Sequence, residues 1–180
     1  ENSISGNAYR PGDVIPTRAG LTVEIGNTDA EGRVVLADAL ALADEEAPEL
    51  LLDYATLTGA ARVALGPDLP ALFCTDPELS DALRDAGPPQ GDPLWPMPLW
   101  APYAANLAGG IADLVNVTTD GFAGSIYGGL FLQRFVGNAR TWAHFDTFAW
   151  NPRTRPGRPE GGAGQGIRAA FSVLSARYPA

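Results

Sequence analysis

Short apolar runs separated by segments of helical period constrain this chain more than any other feature. Residues 21–25 have strand composition and stop at Gly26-Asn27, a turn signal. Residues 33–43 then set Leu36, Leu40 and Ala43 on one helical face, and Pro48 ends the segment. Residues 50–54 and 71–74 are further apolar runs of the buried-strand kind. A helix is predicted from 75 to about 86, with Thr75 or Asp76 as its N-cap. Residues 125–135 read as a helix and 141–146 as a strand. The last helix, 166–178, places Ile167, Phe171 and Leu174 on one face. Residues 1–20 predict an irregular lead-in. The Pro- and Trp-rich stretch 87–103 predicts a loop held to the body by Trp95 and Trp100. Strands alternating with helices predict an α/β fold, with a mixed central β-sheet flanked by helices and no second domain.

Composition narrows the functional classes. A hydrophobic fraction of 46% in 180 residues supports one packed core, or a large part of one. Acidic residues number 21 against 12 basic ones, a net charge of −9, which disfavours nucleic acid as a partner. The single cysteine, Cys74, excludes an intrachain disulfide and a cysteine-based zinc framework. The uncharged stretch 93–112 is broken by Pro93, Pro96, Pro98 and Pro102, so it predicts no membrane helix. No signal-peptide pattern opens the chain, and a cytoplasmic protein without a membrane partner is expected. The chain starts at Glu1 and its only methionine is Met97, so a fragment is expected; all 12 of its basic residues are arginines.

The segment Asn27-Thr-Asp-Ala-Glu-Gly-Arg33 stands between a strand and a helix, where α/β folds place their sites. In an extended segment Asp29, Glu31 and Arg33 project to one side, and two carboxylates so placed suit zinc, manganese or magnesium. The same residues also read as a capping box, Thr28 to Glu31, which would make Arg33 an ordinary first-turn residue. Arg33 is permanently cationic: it can hold an anion but cannot serve as a base. Ala55-Thr-Leu-Thr-Gly-Ala60 has small residues that let a backbone approach a ligand, or simply turn from strand to helix. His144 is the only histidine. A serine hydrolase would depend on it, yet Ala123 spoils the glycine-flanked elbow around Ser125, and a core histidine is the alternative. The glycine-rich run 157–166 lacks a P-loop ending, and Asn116-Val-Thr118 is a chance sequon.

These blocks together resemble the leucyl (cytosol) aminopeptidase family of dinuclear metallopeptidases. The likeness rests on Asn27 to Arg33, on Asn7-Ala-Tyr-Arg-Pro-Gly-Asp13 upstream, and on Ala55 to Ala60 downstream. Gly121-Phe-Ala-Gly-Ser-Ile126, Trp142-Ala-His-Phe-Asp146 and the Gly-Arg-Pro of 157–159 also fit. The resemblance implies a zinc-peptidase-like three-layer fold, here partial. It implies that Asp29 ligates one of two divalent ions, zinc or manganese, and that Glu31 bridges both. Arg33 corresponds to an arginine holding bicarbonate as general base. Thr56, Leu57 and Gly59 match the segment whose backbone binds the peptide substrate, and Asn27 lies in the substrate cleft. The implied reaction is release of the N-terminal residue of a peptide, by a cytoplasmic homohexamer.

The resemblance also implies that a lysine and two aspartates of the metal shell, with a second catalytic lysine, precede this chain. Residues 1–180 then form the C-terminal portion of the catalytic domain, inactive by itself. The rival expectation is a truncated, non-catalytic paralogue acting as a binding or assembly module.

Overall fold

The computed structural model describes residues 8–179. In chain order, β1 (Val14–Pro16), β2 (Thr22–Glu24), α1 (Glu31–Asp44), β3 (Leu51–Ala55) and α2 (Gly59–Leu65) come first. They are followed by β4 (Ala71–Cys74), α3 (Pro77–Ala86), β5 (Trp95–Pro96), β6 (Leu114–Val115) and α4 (Gly124–Gln133). Last come β7 (Trp142–Asp146), β8 (Trp150–Asn151), β9 (Gly161–Gly162) and α5 (Ile167–Arg177). The fold is mixed α/β with sheets and flanking helices, as the alternation predicted. The chain packs as two compact units, each drawn from two separate stretches: 1–51 with 99–140, and 52–98 with 141–180.

The first unit contains a three-stranded sheet in the order β1-β2-β6, with β1 antiparallel and β6 parallel to β2. The predicted lead-in therefore holds a strand: residues 17–20 turn back, and Ile15 pairs with Val23. Helix α1 buries Arg33, Ala37, Leu40, Ala41 and Asp44, a stripe at helical spacing, and packs on α4. At its end the Asp44 carboxylate accepts N–H groups of Gly137 (3.0 Å), Asn138 (2.9 Å) and Ala139 (2.7 Å). Burial pushes the Asp44 carboxyl up, but these donors outweigh it and hold it below the ordinary carboxylate value.

The second unit is built on a four-stranded sheet in the order β3-β7-β4-β5, with β4 antiparallel to β7 and parallel to β5. All five residues of β7 are buried, which its place between β3 and β4 demands. Gly166 caps α5 at φ +78°, and a Cβ there would meet Phe145 Cδ1 at 2.8 Å, so only glycine fits.

Two expectations fail here. Trp95 and Trp100 are 53% and 55% exposed, so they do not pin the 87–103 stretch. Backbone pairing does so instead: Trp95 N donates to Pro70 O (3.0 Å), Met97 N donates to Leu72 O (2.8 Å), and Leu94 is the buried hydrophobic side chain. The face of α5 carrying Ile167 and Phe171 turns outward, at 58% and 70% exposure. Its buried residues are Ala169 and Ala170, small enough for close packing on α3, where Leu79 and Leu83 are buried.

Candidate functional site

The Asn27–Arg33 segment belongs to the first unit. It is not extended: Thr28–Ala30 form a 3₁₀ turn, and α1 begins at Glu31. The predicted one-sided alternation of Asp29, Glu31 and Arg33 is therefore absent, because residues two apart on a helix point to different sides. The capping box is absent too. Asn27 caps the 3₁₀ turn, its side chain accepting from Asp29 N at 2.9 Å, and the N-cap of α1 is Ala30, which provides no side-chain cap.

The anchor of this segment is Asn116, which sequence reading passed over as a chance sequon. It is fully buried, hence no glycosylation acceptor in the fold. Its Oδ1 accepts N–H groups of Gly26 (2.8 Å) and Asn27 (3.1 Å), and its Nδ2 donates to Asn27 O (2.7 Å). Its carbonyl accepts from Arg33 Nη1 at 2.8 Å. A Cβ on Gly26 would lie 2.9 Å from Val117 Cγ1, so the strand end can approach residues 116–117 only as glycine. Position 116 faces position 26 solely through the β2–β6 pairing, a long-range register with no local signal.

The orientation of the charged groups follows. Asp29 is exposed, and its carboxylate accepts no hydrogen bond from the described residues. Glu31 is half-buried, and its Oε2 is shut from solvent with no hydrogen-bond partner. An orphaned carboxylate oxygen of this kind is costly unless a cation or another donor meets it. Tyr9 lies close by: its hydroxyl donates to Thr28 O at 3.3 Å, and its pKa is raised by burial and by the Glu31 charge. Arg33 is 8% exposed, with its guanidinium carbon 5.9 Å from the centre of the Phe131 ring. It is thus a buried cation held by a carbonyl and an aromatic face. A carboxylate with one oxygen orphaned in this way suits a divalent ion. Among the described residues no group of three or more acidic, histidine or cysteine side chains could hold one, so these residues supply at most part of a metal shell.

Thr56, Leu57 and Gly59 belong to the second unit, Thr56 and Leu57 between β3 and α2 and Gly59 as the first residue of α2. Thr58 caps α2 by accepting from Ala61 N at 3.1 Å. Asp146, at the end of β7, organises this turn. Its Oδ1 accepts Leu57 N (3.0 Å) and Thr58 N (3.1 Å), and its Oδ2 accepts the Thr58 hydroxyl (2.5 Å). Burial raises the Asp146 pKa, with the Thr58 hydroxyl opposing. Thr56 is exposed, and no neighbour crowds Gly59: the nearest atom to an added Cβ is Arg62 Nη2 at 3.6 Å. Asp146, like Asn116, escaped sequence reading as a positioning group.

His144 is fully buried, its ring stacked against Phe73 and Trp142. Its Nδ1 is 2.5 Å from Asp53 Oδ1, and Trp142 Nε1 donates to Asp53 Oδ2 at 2.7 Å. The histidine is a core residue, with Nε2 buried and unpartnered. Ser125 Oγ is also buried without a hydrogen-bond partner among the described residues.

A family model described as the cytosol aminopeptidase family, catalytic domain, matches residues 1–171. Proteins named "Probable cytosol aminopeptidase" from Nitratidesulfovibrio vulgaris and Geobacter sulfurreducens are each 46% identical, over 184 and 178 residues. The matches cover 100% and 98% of this chain and 36% of each relative, so the chain spans just over a third of their length. The crystal structure of the cytosol aminopeptidase from Coxiella burnetii has a TM-score of 0.94 and 55% identity, covering 99% of this chain and 39% of that one. The bottromycin maturation enzyme BotP in complex with Mn has a TM-score of 0.89 and 39% identity, covering 96% and 39%.

Proposed function

Because the chain belongs to the cytosol aminopeptidase family, we propose that it carries part of the active site of a metal-dependent aminopeptidase releasing leucine-type N-terminal residues from peptides. The observation that carries this reading is the buried, unpartnered Oε2 of Glu31 at the start of α1. Asp29 and Glu31 would hold two divalent ions, manganese or zinc, with Glu31 shared between them. The chemistry supplied by such ions is Lewis-acid polarisation of the scissile carbonyl.

The remaining roles fall to the chain's own groups. Asn116 fixes the backbone of 26–27 and accepts from Arg33, which holds the acidic pair and the arginine in one rigid frame. Arg33 cannot take a proton, so its part is to bind an anion, bicarbonate, that can. Thr56, Leu57 and Gly59 present backbone groups to the peptide, and Asn27 borders the cleft. Asp146 keeps the Leu57 and Thr58 N–H groups turned to itself, which fixes the direction of the neighbouring carbonyls. The family resemblance further supports a cytoplasmic homohexamer. Among the described residues no helix is long and apolar enough to cross a membrane.

The test is hydrolysis of leucine-p-nitroanilide by the intact gene product that carries this chain. Chelation should abolish it, manganese should restore it, and the N-acetylated substrate should resist it. Hydrolysis indifferent to chelators, or equal on the acetylated substrate, would refute the reading.

A further inference from the structure

The second unit contains a cavity of about 180 Å³ that none of the candidate site residues lines. Arg155, Arg158 and Arg168 stand on its wall with Asn151, Gln165 and a single carboxylate, Asp68. In a chain of net charge −9, three cations against one anion on so small a surface run opposite to the overall balance.

The local anions are already committed. Asp68 grips Arg155 through both oxygens, Oδ2 to Nη1 at 2.9 Å and Oδ1 to Nη2 at 2.5 Å. Asp92 lies 3.7 Å from Arg168 Nη2, but its oxygens accept the N–H groups of Gly166 (2.8 Å), Arg168 (2.8 Å) and Ala169 (3.2 Å). The N-terminus of α5 is therefore closed by Asp92 and plays no part in the attraction.

Three donors remain poorly matched. Arg158 and Arg168 both donate through Nη2 to one neutral acceptor, the Gly91 carbonyl, and Arg168 has one further neutral acceptor, its Nε donating to Gln90 O at 3.1 Å. Among the described residues Arg158 forms no ion pair. The Nε–H of Arg155 is buried with no acceptor. Two guanidinium groups drawn to a single carbonyl repel each other, and a small anion between them removes that repulsion and fits their planar forks.

We propose that this cavity binds a small oxyanion, a phosphate or a carboxylate, with Arg158 and Arg168 as its principal donors. Its volume lies below the roughly 300–1,000 Å³ of sites for drug-sized ligands, so it takes an ion or the end of a longer molecule, not a whole cofactor.

The test is calorimetric titration of the intact gene product with inorganic phosphate and, separately, with acetate, at constant ionic strength balanced by sodium chloride. At least one titration should saturate at one anion per chain. Arg158→Gln and Arg168→Gln should each weaken it about tenfold or more, the scale of one charge-assisted hydrogen bond. Saturation by phosphate alone assigns the site to phosphate; saturation by acetate assigns it to a carboxylate such as a peptide terminus. If the variants lose their native circular dichroism, the melting temperature of the unaltered protein decides. It should rise with phosphate or acetate above its value in chloride. No saturation by either anion, unchanged affinity in folded variants, or no such rise in melting temperature would overturn the proposal.

Discussion

At the scale of single residues, the site depends on groups whose job is to aim others. Arg33 is held by the Asn116 carbonyl and the Phe131 ring, so its charge is fixed in direction. Arg33→Lys keeps the charge and loses the planar fork, so turnover should fall with little change in stability, and high bicarbonate should restore part of it. Unchanged kinetics in a bicarbonate-free assay would contradict the anion role. Asp146→Ala strands the Leu57 and Thr58 N–H groups, each unsatisfied donor costing about 1–3 kcal/mol. A raised KM beside lowered stability is the expected result, measured by steady-state kinetics and denaturant unfolding. Asp29, Glu31 and Arg33 were singled out in the sequence by residue type and by the family resemblance of their segment. Asn116 and Asp146 were not, because each acts on a turn about 90 residues away in sequence.

At the scale of elements, apolar runs and helical periods located β2, β3, β4 and β7 and the helices α1, α3, α4 and α5 to within a few residues, and missed α2 and the shorter strands β1, β5, β6, β8 and β9. The predicted strand 71–74 and the observed β4 coincide. What failed was the facing of side chains. Ile167 and Phe171 share a helical face, but the alanine face won the packing on α3 because it permits closer approach. The 27–33 segment failed because the alternation argument assumes an extended backbone, and Asn27 instead starts a 3₁₀ turn. Strand β7 is the element with the most to lose: Phe145 is fully buried and stacks on Tyr54 at 4.2 Å between centroids. Phe145→Ala should cost about 3–5 kcal/mol in denaturant unfolding. The end of α1 carries a pH dependence. The Asp44 pKa is lower folded than unfolded, so its contribution is complete above the ordinary carboxylate range and fades as pH falls through the lowered value. Asp44→Asn should remove about 1.5–3 kcal/mol at neutral pH and flatten the acid limb of the stability curve. An acid limb equal to that of the unaltered protein would contradict this account.

At the scale of the whole molecule, no group of three or more histidine, cysteine or acidic side chains among the described residues could hold a metal ion, and the chain spans just over a third of its relatives' length. Apolar patterning reports which faces are buried and not which stretches cluster. The division into two units, each from two stretches, arises from long-range pairing such as β2 with β6 and β4 with β7. The central claim is that the orphaned Glu31 carboxylate is a shared metal ligand. Its most direct test is the metal content of the intact gene product and its Glu31→Gln variant after dialysis, read beside turnover of leucine-p-nitroanilide. The account predicts two divalent ions per chain in the unaltered protein, loss of at least one in the variant, and near abolition of turnover, because a neutral amide bridges two cations poorly. A variant that keeps both ions and most of its turnover would contradict it.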